Sequence, residues 1–180
     1  MKLEDLLIEK KKTILEDWFQ LILESYPPGS IDFFKNKKDQ FQNPVGYTIL
    51  NGIEKLFEGL LGEFSLEDVA APLDKIIKIR SVQDFSPSQA VAFIHQLKKV
   101  VRKSLGEQIR DDQLRNQLHN FDCRVDRLTL YAFDNYMQCR EKMFEIRVNE
   151  ARAGSNRLIE RLNRRYDGAA SADDKKIENN

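Results

Sequence analysis

Residues 72–102 read PLDKIIKIRSVQDFSPSQAVAFIHQLKKVVR, and two amphipathic helices meeting at a marked junction are visible in them. Leu73, Ile76 and Ile77 recur at threes and fours, the spacing of one helix face. The next position on that face is Arg80. An unpaired guanidinium is costly to desolvate, so Arg80 is expected either to reach solvent along its stem or to find a carboxylate. Asp84 lies four residues on and is the candidate partner, coupled to Arg80 directly or through the cap at Ser86. "FSPSQ" then carries several helix-start signals at once. Ser86 fits the N-cap, Pro87 the first helical position and Gln89 the reciprocal arm of a capping box, with Phe85 stapling towards Ala90. The spacing predicts a helix from 87 to about 105 with Ala90, Val91, Phe93, Ile94, Leu97 and Val101 inward, ending near Gly106.

The same reading extends outward in both directions. Residues 3–26 predict one amphipathic helix carrying Leu3, Leu7, Ile14, Leu15, Trp18, Leu21, Ile22 and Tyr26, stopped by "YPPG" because consecutive prolines remove donors. Residues 30–42 offer at most a short helical turn. Asn43 is a plausible N-cap, Pro44 sits where a helix best tolerates proline, and a helix is expected from there to Gly62. "FSLED" predicts another start, with Ser65 reaching the backbone at Asp68, while Pro72 predicts a break. Residues 107–120 read as a polar helix or linker. From Phe121 one long helix carries Val125, Leu128, Ala132, Tyr136, Cys139, Met143 and Ile146, thinning beyond Val148 to Leu158, Ile159, Leu162 and Tyr166. Run unbroken over 121–166 it would span about 69 Å at ~1.5 Å per residue. Its thin apolar stripe suits a seam with a second copy. The expected organisation is a helical domain over 1–148, a helical extension over 149–166 and a disordered tail over 167–180.

Composition narrows the function classes. The 180 residues hold 29 Lys plus Arg and 29 Asp plus Glu, so no net basic charge points to nucleic acid. The stretch 140–166, with eight Arg or Lys against four Glu, reads as a solvated helix face. No apolar run is long enough for a membrane span or a signal peptide, so a cytoplasmic protein without membrane insertion is expected. Cys123 and Cys139 are expected to be free thiols packed in the core. Glycine-rich phosphate loops, CxxC pairs, HExxH and GxSxG are absent, and neither histidine follows a glutamate three residues earlier. A non-enzymatic protein without a cofactor is therefore expected. His95 is the one residue that a haem-carrying or ligand-carrying alternative would use, since a single helical histidine can hold haem iron. The simpler reading puts it at the edge of the apolar face, hydrogen-bonded or partly solvated.

Three stretches together resemble the N-terminal domain of RsbT co-antagonist proteins of the RsbR/RsbRD type. They are Trp18 in the first helix, DQFQNPVGYTILNGIEKLFEGLL at 39–61, and the opening stretch at 72–102. The resemblance covers about residues 3–148 and weakens after 105. It implies an all-helical, globin-like fold that binds no haem and serves as a sensory or interaction module, commonly dimeric. It also implies a helix-start signature at Asn43, Pro44 and Gly46 and a junction signature at Arg80, Asp84, Phe85, Ser86, Pro87 and Gln89, architectural first and signalling second. In such proteins the last helix leads into a STAS domain that engages a switch kinase. Here a polar tail follows, so a stand-alone form is expected. Similar stand-alone proteins occur in bacteria with anaerobic sulfur metabolism, which implies a regulatory or respiratory protein partner.

Overall fold

The computed structural model describes residues 2–27, 29, 43–109 and 111–177, with side chains through 164. The expected turn within 30–42 lies outside the described residues. Six α-helices and one 3-10 turn make up the described chain: α1 (Leu3–Glu9), α2 (Lys11–Glu24), α3 (Pro44–Leu60), α4 (Leu66–Ser81), α5 (Pro87–Leu105), the turn Gly106–Gln108, and α6 (Asp112–Ile177). The fold is an all-α bundle with a long final helix. It divides into two compact units, Met1–Cys139 and Arg140–Asn180, whereas the sequence places the boundary at Val148.

The first unit is held by one apolar core. Trp18, Phe19, Ile53, Phe57, Ile77, Phe93, Leu97 and Leu128 are all buried in it. At ~1.5–3 kcal/mol for each fully buried large apolar side chain, this cluster supplies most of what offsets chain entropy. Helices α3 and α4 pack on each other, and α2 packs on α5 and α3. Gly52 permits the close α3–α4 approach, since a Cβ there would lie 2.6 Å from Cδ1 of Ile76.

Several expectations fail for tertiary reasons. The single helix over 3–26 is two, because Lys10 leaves the helical region with ψ 6° while its ammonium binds the Ser104 carbonyl at 2.7 Å. Pro72 does not break α4. A proline inside a helix costs about 3 kcal/mol, and burial of Val69, Leu73, Ile76 and Ile77 on either side exceeds that. Ser65 caps the amide of Glu67, at 3.2 Å, rather than Asp68. The last helix starts at Asp112, not Phe121, and its helical backbone runs through the expected tail to Ile177. Asp111 caps it, accepting from the Leu114 amide at 2.6 Å, and Leu114 and Leu118 join the core. Cys123 is exposed and Cys139 only partly buried, both free thiols, so the first is not core packing. Its sulfur lies 3.8 Å from Nε2 of His119, one turn back on the same face.

Candidate functional site

Arg80 is the organising residue of the first unit. It ends the apolar stripe of α4 and is 1% exposed, so its stem does not carry the charge to solvent. Among the described residues it finds no carboxylate either. Asp84 is exposed and forms no ion pair with it, which overturns the expected direct coupling. The guanidinium is instead shared among neutral acceptors and aromatic faces. Nη2 donates to Ser25 Oγ at 3.1 Å and to the Gln89 carbonyl at 3.2 Å, and Nη1 reaches the Tyr26 hydroxyl at 3.5 Å. Its central carbon lies 4.0 Å from the ring centre of Phe85, 5.4 Å from Tyr26 and 5.5 Å from Phe93. Cation–π attraction strengthens when desolvated and replaces the missing counter-ion. Nε has no hydrogen-bond partner.

Sequence places each element of this junction. Ser25 and Tyr26 close α2, Arg80 sits in the last turn of α4, and Gln89 opens α5. The capping box is formed: the Gln89 amide donates to Ser86 Oγ and the Ser86 amide donates to Gln89 Oε1 at 2.9 Å. The Gln89 carbonyl meanwhile accepts from Arg80, so the Ser86 cap is tied to Arg80 through Gln89 and not through Asp84. Pro87 occupies the first helical position. Phe85 packs edge-on against Tyr26, centroids 5.4 Å apart, and its carbonyl accepts from the Tyr136 hydroxyl at 2.6 Å. The final helix is thereby fastened to the junction.

Burial acts on the two titrating members in the direction of their neutral forms. It pushes the Tyr26 hydroxyl above its ordinary range, opposed by the positive charge of Arg80. It lowers Arg80, opposed by Tyr26. Guanidinium is so strong a base that Arg80 stays charged at neutral pH.

The helix-start signature is a separate structure. Asn43 is 1% exposed and its Oδ1 accepts from the Gly46 amide at 2.9 Å, with Pro44 beginning α3. A Cβ at Gly46 would collide with the Asn43 side chain, so glycine lets the cap approach.

His95 faces outward. Its side chain is 66% exposed and Nδ1 lies 3.9 Å from an Asp126 oxygen, which Lys98 also approaches at 2.5 Å. The neighbours of His95 that do face inward, Phe93 and Ile94, are buried in the apolar core, and His95 is not among them. Arg102 pairs with Asp122 one turn on, making a second rung between α5 and α6. Among the described residues no group of three or more His, Cys, Asp or Glu is placed to hold a metal, and no helix is long and apolar enough to cross a membrane.

Sequence reasoning missed Ser25, Tyr26, Phe93 and Tyr136 as partners. A signal existed for the two tyrosines, because a stripe tyrosine brings a hydroxyl that needs a partner when buried.

An uncharacterized protein from Archaeoglobus fulgidus is 24% identical over 144 residues, 79% of this chain and 85% of that protein. No solved structure matches. The family model for the RsbT co-antagonist protein rsbRD N-terminal domain matches residues 12–151, a span that contains the Arg80 junction, the Asn43 cap and Tyr136, and the chain belongs to that family.

Proposed function

We propose that this protein is a non-enzymatic, cytoplasmic regulatory module that acts through protein contacts, with the second unit as its contact surface and a second copy of the chain as its first partner. Family membership implies a regulatory or sensor role in stress signalling. The observation that carries the contact surface is the exposure of large apolar side chains on α6 beyond Arg140: Phe144 67%, Leu158 61% and Leu162 53%. Scattered exposed apolar residues are ordinary, and Ile146 and Ile159 are exposed off the main stripe, but Phe144, Leu158 and Leu162 follow a pattern. Every seventh residue from Leu130 is apolar, through Met137, Phe144, Ala151 and Leu158, and Val148 and Leu162 stand four after Phe144 and Leu158. A strict seven-residue repeat is the mark of a left-handed seam between helices. Arg147, Arg152 and Arg161 flank it, keeping it soluble while it is uncovered.

A regulatory or respiratory protein, such as one serving anaerobic sulfur metabolism, would meet the dimer along the same helix. Affinity capture from native cells tests this with the full chain beside a Leu158→Glu/Leu162→Glu variant. Regulatory proteins retained by the first and lost from the second support the reading. An identical set on both removes the helix from the contact.

A further inference from the structure

A groove of about 190 Å³ lies between α3 and α4 on the first unit, and none of the Arg80 junction residues lines it. Its floor is set by the close helix approach at Gly52 and Pro72. Tyr47, Asn51 and Lys55 line one wall at four-residue spacing, which puts them on one face of α3. Lys75 lines the other wall, one turn after Ala71 on α4. Among the described residues the side chains of Tyr47, Asn51, Lys55 and Lys75 make no hydrogen bond or ion pair.

The described carboxylates nearest these lysines in sequence are engaged elsewhere. Glu54 and Glu58 both bind Lys11, at 2.9 and 2.7 Å, and Asp74 binds Lys78 at 2.6 Å. Among the described residues the groove is thus lined by two ammonium groups, a phenol, an amide and the Thr48 hydroxyl, with no acidic side chain. Lysine serves phosphate and carboxylate groups as a point charge, while phenol and amide donors fix orientation. The small apolar floor suits a short carbon skeleton.

We propose that this groove binds a small organic dianion, a phosphate monoester or a short dicarboxylate, between Lys55 and Lys75, with Tyr47 and Asn51 donating hydrogen bonds to it. Because both lysines are exposed, binding is weak and falls with ionic strength. The ligand bridges α3 to α4 just before the turn that carries Arg80, so occupancy would stiffen the helix pair that ends at the junction. This site belongs to the first unit and the proposed partner surface to the second, and either can fail without the other.

The test is an amide NMR titration of the full chain, following Gly52 and Ala71, with glycerol 3-phosphate, inorganic phosphate and succinate, and with chloride at matched ionic strength. Saturable shifts are expected with at least one dianion and not with chloride. A phosphate-only response assigns the phosphate source and a succinate-only response the dicarboxylate. Lys55→Gln/Lys75→Gln, which removes both charge contacts, is expected to weaken binding at least about tenfold. Tyr47→Phe, which keeps the ring, is expected to weaken it less. No saturation with any dianion, an equal response to chloride, or unchanged binding in the double lysine variant would overturn the site.

Discussion

Arg80 is a buried cation whose surroundings are neutral, and that decides how it should respond to substitution. Removing a side chain of this size to alanine leaves a cavity, and Arg80→Ala is expected to cost about 3 kcal/mol in urea unfolding. Arg80→Met fills much of the space and removes the desolvated charge, so it is expected to cost under about 1.5 kcal/mol. Equal losses in the two variants would show that the guanidinium itself holds the junction. Asp84→Ala is expected to lie within about 0.5 kcal/mol of the parent and to add simply to either variant, because Asp84 is exposed and does not touch Arg80. Tyr26 gives the pH dependence. Its folded pKa is raised, so below about pH 10 both states are neutral and stability is flat. Above that the unfolded chain loses its proton first, and stability falls as pH rises towards the folded value. Tyr26→Phe is expected to flatten that alkaline limb, measured as melting temperature against pH. The position of Arg80 on an apolar stripe is legible in the sequence, whereas its partners are not. They come from α2, the loop before α5 and α5 itself, and no local spacing joins Ser25 to Arg80 or Phe85 to Tyr136.

At the scale of the element, the helices with chemical punctuation are the legible ones. Asn43-Pro44 and Ser86-Pro87 mark starts that α3 and α5 use, and Gly106, with φ of +50°, ends α5 where the sequence predicts an end. Asn43→Ala should lower stability by about 1–2 kcal/mol, near the upper range for a cap because the amide it serves is buried, read as a shifted urea midpoint at unchanged slope. The failures each have a physical cause. Pro72 is overruled by burial on both sides, and the break falls at Lys10, whose ammonium binds the distant carbonyl of Ser104 and which carries no local breaker signal. The start of α6 was readable: Leu114, Leu118 and Phe121 continue the spacing of Val125 and Leu128 backwards, and Asp111 stands three before Leu114. Polar residues between them conceal the stripe, since α6 buries only one narrow face. The His119–Cys123 contact illustrates the reverse case, a helix neighbour pair predictable from i,i+4 spacing once the start of the helix is known.

For the molecule as a whole, the second unit carries the question of what the protein meets. Its helix is mostly polar, with Ile146 and Ile159 exposed beside the seven-residue stripe, and an isolated helix of that composition is marginal in water without a partner on its apolar face. Self-association brings together two stretches with eight basic against four acidic residues over 140–166, so like charges oppose it. Raising salt screens that repulsion, and the dimer is expected to tighten between low and physiological ionic strength. An acidic partner helix would show the opposite trend, weakening with salt, which separates the two occupants of the seam. Sedimentation equilibrium of the full chain at micromolar concentration is the most direct measurement. A mass twice the 21.0 kDa of the chain is expected, falling to one chain in Leu158→Glu/Leu162→Glu. A full-length protein that stays at 21.0 kDa would contradict the seam, and a dimer that persists in the variant would place its interface elsewhere.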